Sequence, residues 1–151
     1  KDRLTWDAPL RFGAFAYDAS EDYVALHFHN AYRPDSPFDH GEDLRRSLRT
    51  IVDDIRAREL KIARIGVDSW INSVAPFQSL FPQAFAASLE PTDPDNKGGH
   101  GWWGQYISRT GTLNEKRAQR LRETRQFDVV RTHGECAYEL FRMHVESASA
   151  G

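Results

Sequence analysis

Residues 23–30 read Tyr23-Val24-Ala25-Leu26-His27-Phe28-His29-Asn30. Val24, Leu26 and Phe28 recur with a period of two, the pattern of a strand with one buried face. Upstream, Leu10 to Tyr17 alternates as well, with Leu10, Phe12, Ala14 and Ala16 against Arg11, Gly13, Phe15 and Tyr17. The short polar stretch Asp18-Ala19-Ser20-Glu21 separates the two runs. Two alternating runs across a short polar connection predict an antiparallel hairpin.

Downstream, the chain turns through Arg33-Pro34-Asp35-Ser36-Pro37. Asp39 and Glu42 have the spacing of a capping box. Behind them Leu44, Leu48, Ile51, Val52 and Ile55 recur at helical spacing and predict a helix over 40–59. Lys61 to Trp70, centred on Ile62, Ile65 and Val67, reads as a buried strand. A helical turn over 76–81 should stop at Pro82, which cannot continue a helix from its interior. Residues 90–101 hold two Pro and three Gly and read as a long loop, a lid or a seam. Thr112 and Glu115 form a second capping-box pattern before a charged helix to Arg125. Phe127 to Arg131 reads as a strand, and Thr132 and Glu135 as the opening of a last helix to Val145. Residues 147–151 are expected to fray. The order β-β-α-β-α-α-β-α is α+β: a single mixed or mostly antiparallel sheet flanked by helices, in one domain over 1–151.

Composition narrows the class. Twenty Lys and Arg against 22 Asp and Glu give a net charge of -2, which disfavours a general nucleic-acid binder. The single Cys excludes an internal disulfide and a cysteine-rich zinc site. No apolar run approaches the ~18 residues of a spanning helix. Lys1-Asp2-Arg3-Leu4 does not read as a signal peptide, so a soluble, cytoplasmic protein is expected.

Three stretches carry groups suited to chemistry. His27 and His29 lie two apart on a predicted strand, so both imidazoles would share a face opposite Phe28. Such a pair offers an acid or base near neutral pH, or two ligands of a metal whose third comes from His100, His133 or Asp68. Asp68-Ser69-Trp70-Ile71-Asn72-Ser73 lies where a strand ends and a helical turn begins, a common binding position. Asp68 and Trp70 would share a strand face, and Asn72 or Ser73 could cap the turn. Ser69 lacks a Gly-x-Ser-x-Gly setting and is not read as a nucleophile. Gly98 to Tyr106 brings His100, Trp102, Trp103 and Gln105 into a glycine-rich segment that could close over a ligand. The stretch Arg109 to Arg125 carries a net +4, a solvated face or a site for an anionic partner. Cys136 reads as a small packed residue.

Leu26-His27 on a strand, Ser47-Leu48 in a helix, Ser69-Trp70-Ile71 on the next strand and Leu80-Phe81-Pro82 after it form a sequence of short motifs. With these, Val24 to Leu89 resembles the C-terminal domain of a group of bacterial GNAT-type N-acyltransferases, and Thr112-Leu113 before the charged helix extends the resemblance. It implies a mixed sheet flanked by helices and acyl-CoA-dependent transfer to an amine. The pyrophosphate loop Arg/Gln-x-x-Gly-x-Gly/Ala of that family is absent, so no cofactor is assigned.

The expected activity is a small soluble enzyme, a transferase or lyase, acting on a small polar molecule. Its site would lie between the His27/His29 face, the Asp68–Asn72 strand end and the 98–106 segment. His27 or His29 would be the acid/base and Asp68 its orienting counter-charge. Trp70, Asn72, His100, Trp102, Trp103 and Gln105 would bind the substrate. Two alternatives stay open. One is a metal-dependent enzyme using His27-x-His29. The other is a non-catalytic binding module, homo-oligomer or partner subunit, with the tryptophans and the Arg-rich helix as its interface.

Overall fold

In the computed structural model, which describes residues 11–92, 103–108, 110–125 and 130–147, six strands form one mixed sheet. They are Arg11–Phe12 (β1), Phe15–Ser20 (β2), Tyr23–Phe28 (β3), Arg64–Ser69 (β4), Glu90–Pro91 (β5) and Thr132–Ala137 (β6). Their order across the sheet is β1-β2-β3-β4-β6-β5. β3 and β4 are parallel and the other neighbours antiparallel. The described helices are Gly41–Ala57 (α1), Ala75–Gln78 (α2), Gln83–Ala87 (α3), Glu115–Thr124 (α4) and Tyr138–Ser147 (α5). The α+β class and the single mixed sheet flanked by helices are as the alternation and helical spacing predict. No described helix is long and apolar enough to cross a membrane.

The hairpin exists with different breaks. The run predicted over Leu10 to Tyr17 divides at Gly13, whose φ of +66° opens a two-residue turn between Phe12 and Phe15. Leu10 lies outside the described residues. Asp18, Ala19 and Ser20 are not a polar break but the end of β2, and the turn is Glu21-Asp22, with Glu21 at φ +56°. β3 stops at Phe28, so His29 lies beyond the strand; its N–H donates to the Ala14 carbonyl at 2.9 Å.

α1 links the two parallel strands and buries Leu44, Leu48, Ile51, Val52 and Ile55. Each such side chain contributes about 1.5–3 kcal/mol when taken from water. The Asp39/Glu42 capping box does not form. A 3-10 turn, Pro37–His40, runs into α1, and Ser36 caps that turn by accepting from the Phe38 N–H. Pro37, with its φ preset, starts the helical path earlier than the pattern suggests. The second capping box shifts likewise: Asn114, not Thr112, caps α4, accepting from the Arg117 N–H at 3.2 Å.

The chain from 61 to 91 is tighter than the sequence suggests. The strand occupies Arg64–Ser69 and a 3-10 turn takes Trp70–Ser73. The turn over 76–81 becomes α2, which ends at Gln78 before Pro82, and Pro82, in extended conformation, is the N-cap position of a further helix, α3.

The largest correction is at the C-terminal end. Thr132 and Glu135 do not open a helix: Thr132–Ala137 is β6, paired with β4 from Arg64↔Ala137 to Ser69↔Thr132. Residues 127–129 of the strand predicted at Phe127 to Arg131 lie outside the described residues, as do 148–151 of the tail; Val130 and Arg131 are not in a strand, and Ser147 ends α5.

The register gives the sheet two unlike faces. Phe15, Tyr17, Val24, Leu26, Phe28, Ile65, Val67, Gly134 and Cys136 share one. α1, α2, α3 and α5 pack there. Phe77 of α2 packs its ring 6.3 Å from Phe15 and 5.4 Å from Phe28, and Phe85 of α3 lies against Gly134. The aromatic chain continues from Phe81 to Phe85 at 4.3 Å and to Phe141 of α5 at 5.8 Å. Such tilted and stacked pairs add about 0.5–1.5 kcal/mol each beyond their burial.

Candidate functional site

The other face of the sheet carries the ionisable groups. Strand alternation places Asp18 of β2, Tyr23 and His27 of β3, Arg64 and Asp68 of β4, and His133 and Glu135 of β6 on it. The register pairs Asp68 with His133 directly. One step beyond the last β3–β4 pair, Leu26↔Val67, His27 falls beside Asp68. His27, Asp68 and His133 therefore form a row across three strands, with the outer two about 10 Å apart at the backbone from the strand spacing of ~4.8 Å. Below the row, Ala25 and Gly66 form a floor without bulk, and the Tyr23 ring lies across Gly66.

The two imidazoles differ in what holds them. His133 Nδ1 bonds Asp68 Oδ1 at 2.8 Å and its Nε2 bonds Glu135 Oε1 at 3.0 Å. Burial opposes the charge on His133, but these two carboxylates outweigh it and the imidazole titrates above its ordinary value. Glu135 also takes the Arg64 Nε–H, and Arg64 followed by His133 holds its carboxyl below the usual range. His27 Nε2 lies 3.1 Å from Asp18 Oδ2. Desolvation dominates there and lowers the His27 value, against the pull of Asp18 and Asp68. Against a carboxylate oxygen, Nε2 is the nitrogen that donates. Burial, with Glu135 and Asp68 nearby, pushes the Tyr23 phenol up to about 12.

The expected residues are thus partly brought together. His27 and Asp68 share the face, but Asp68 orients His133, and Asp18 orients His27. His29 is exposed beyond the strand end and does not pair with His27 within it. Trp70 is not on the strand face with Asp68; it begins the 3-10 turn, with the Arg117 guanidinium 5.9 Å from its ring. Ser69, not Asn72 or Ser73, caps that turn, accepting from the Ile71 N–H. Asn72 and Gln105 are buried, and Trp103 is 45% exposed. His100 and Trp102 lie outside the described residues. Burial pushes the Cys136 thiol up to about 11, so it is a packed residue of the helical face.

Asp18, Tyr23, Arg64 and Glu135 were not singled out from the sequence, and His133 only as a distant metal ligand. Their shared signal is alternation: His133-x-Glu135 repeats the spacing of His27-x-His29 once 132–137 is read as a strand. Among the described residues no group of three or more His, Cys, Asp or Glu side chains is arranged to hold a metal ion. A shallow groove lined by Arg45, Leu48, Ser79, Leu80, His144 and Val145 lies on the helical side, away from this face. Comparison with protein-family models, with curated proteins and with solved structures finds no match for the chain.

Proposed function

We propose that the polar face of the sheet is the site of a small enzyme that acts on a small polar molecule by histidine-based acid/base chemistry. The observation that carries this reading is the row His27–Asp68–His133 on the face opposite α1, α2, α3 and α5. Titratable groups whose surroundings push them apart are the usual basis for dividing acid and base roles. His27, neutral at pH 7, is the base. Asp68, steadied by His133, accepts a hydrogen bond from the ligand. The Tyr23 hydroxyl, which keeps its proton to about 12, donates one.

Donor and acceptor accounting selects the ligand. Both His133 nitrogens and Arg64 Nε are engaged by carboxylates. The Nη–H groups of Arg64 remain as donors four residues back along β4; beside His27 the acceptor left toward a ligand is Asp68 Oδ2, which favours a donor-bearing molecule such as an amine at that end of the face. Acyl transfer to an amine, the activity that the GNAT-type resemblance implies, belongs to this class.

Thermal shift with matched small primary amines and carboxylic acids tests the reading in the wild type, His27→Gln and Asp68→Asn. At a hundredfold excess over Kd, an amine should stabilise the wild type by about 2.7 kcal/mol, or roughly 5–10 °C. Both variants should lose most of that response. Preference for the acids, equal response in the variants, or no response to either class contradicts the proposal. One observation favours a second reading, a non-catalytic interaction module: the large exposed area of Trp103.

A further inference from the structure

Asn72, expected from the sequence to bind substrate, is fully buried, and the roles proposed for the polar face do not use it. Its Nδ2 donates to the carbonyl of Val67 at 2.9 Å and to that of Thr132 at 3.0 Å. Val67 directly precedes Asp68, and Thr132 directly precedes His133. One carboxamide therefore ties the two peptide units from which the Asp68–His133 pair projects. Ser69↔Thr132 is the last pair of the β4–β6 ladder, so this brace sits where strand pairing ends. Asn72 is itself fixed from two sides. Ser69 starts its turn by accepting from the Ile71 N–H, and Gln78 Nε2 donates to the Asn72 carbonyl at 2.8 Å.

The chemistry of the side chain matches that task. Two carbonyls on different strands need two N–H groups on one short stem, which an Asn supplies. Leucine would leave both carbonyls without this donor, and aspartate would set a third acceptor against them. Asn72 Oδ1 is buried without a hydrogen-bond partner, an arrangement that costs about 1–3 kcal/mol.

We infer that Asn72 is a positioning residue that sets the Asp68–His133 contact and, through it, the ligand-facing oxygen of Asp68. This rests on the polar face being the functional site. The test is the titration of the His133 imidazole by NMR in the wild type, Asn72→Leu, Asn72→Ser and the core variant Leu80→Ala, which is destabilised at a distance. In Asn72→Leu the His133 proton affinity should fall about tenfold, and His27, held chiefly by burial and Asp18, should move less. Asn72→Ser keeps one donor and should fall part-way, and serves in its place if Asn72→Leu does not fold. Leu80→Ala should leave His133 as in the wild type. An unchanged His133 in the Asn72 variants, or an equal fall in Leu80→Ala, overturns this inference and leaves the polar-face reading standing. A wild-type His133 that titrates at or below 6.5, its ordinary value, overturns both.

Discussion

Replacing Gly66 by alanine probes the floor of the polar face. A Cβ built at Gly66 would sit 2.0 Å from the Tyr23 hydroxyl oxygen, 3.0 Å from its Cζ and 3.0 Å from the Gly134 carbonyl oxygen. Overpacking of this kind costs about 1–3 kcal/mol. The lost conformational freedom of the unfolded chain returns about 0.5–1 kcal/mol. The net destabilisation should be about 1–2 kcal/mol, which is roughly 0.5–1 M in the urea midpoint at a typical slope. The contact responsible is named by a double-mutant cycle. In a Tyr23→Ala background the two tyrosine contacts vanish and only the Gly134 oxygen remains, so Gly66→Ala should become nearly neutral. Urea unfolding of the four proteins measures the coupling, expected at about 1–2 kcal/mol. If Gly66→Ala destabilises equally with and without the tyrosine ring, the placement of Tyr23 over Gly66 is wrong.

Other expectations follow from single contacts. The Tyr17 hydroxyl donates to Asp54 at 2.5 Å and accepts from Arg58 at 2.7 Å, so Tyr17→Phe should lose about 1.5–3 kcal/mol in urea unfolding. Cys136, pushed up to about 11, should react with a thiol reagent only after unfolding; rapid reaction of the native protein would contradict its burial. His133 binds its proton more tightly when folded, so its stabilisation is complete below 6.5 and is lost as pH rises through the folded value. His27 binds its proton more weakly when folded, so stability falls as pH drops below 6.5 through the folded value. In urea unfolding across about pH 5–9, His133→Gln should flatten the alkaline decline and His27→Gln the acidic one.

β3 and α1 are legible because Val24, Leu26 and Phe28, and Leu44 to Ile55, repeat strong apolar side chains at the right periods. β6 is not, for a physical reason. Its buried face within the ladder is Gly134 and Cys136, and neither gives a hydrophobic signal comparable to Val or Phe. Thr132 and Glu135 then imitate a helix start, although pairing with β4 decides the outcome. That misreading hides His133 and Glu135, and with them the partner of Asp68. Asp18 is hidden similarly, since a two-residue turn at Glu21-Asp22 keeps it in β2. Asp68 and His27 are legible as polar positions on strands. Which carboxylate each imidazole meets depends on pairings 65 residues apart for His133 and 9 for His27, and no local pattern records them.

On one face of the sheet His133 holds its proton more tightly than an ordinary imidazole and His27 more weakly. Proton NMR titration of the wild-type protein, with the six histidines assigned by substitution, reads this directly. His133 should titrate above 6.5 and His27 below it. Coincident titration of the two at 6.5, or the reverse order, would contradict it.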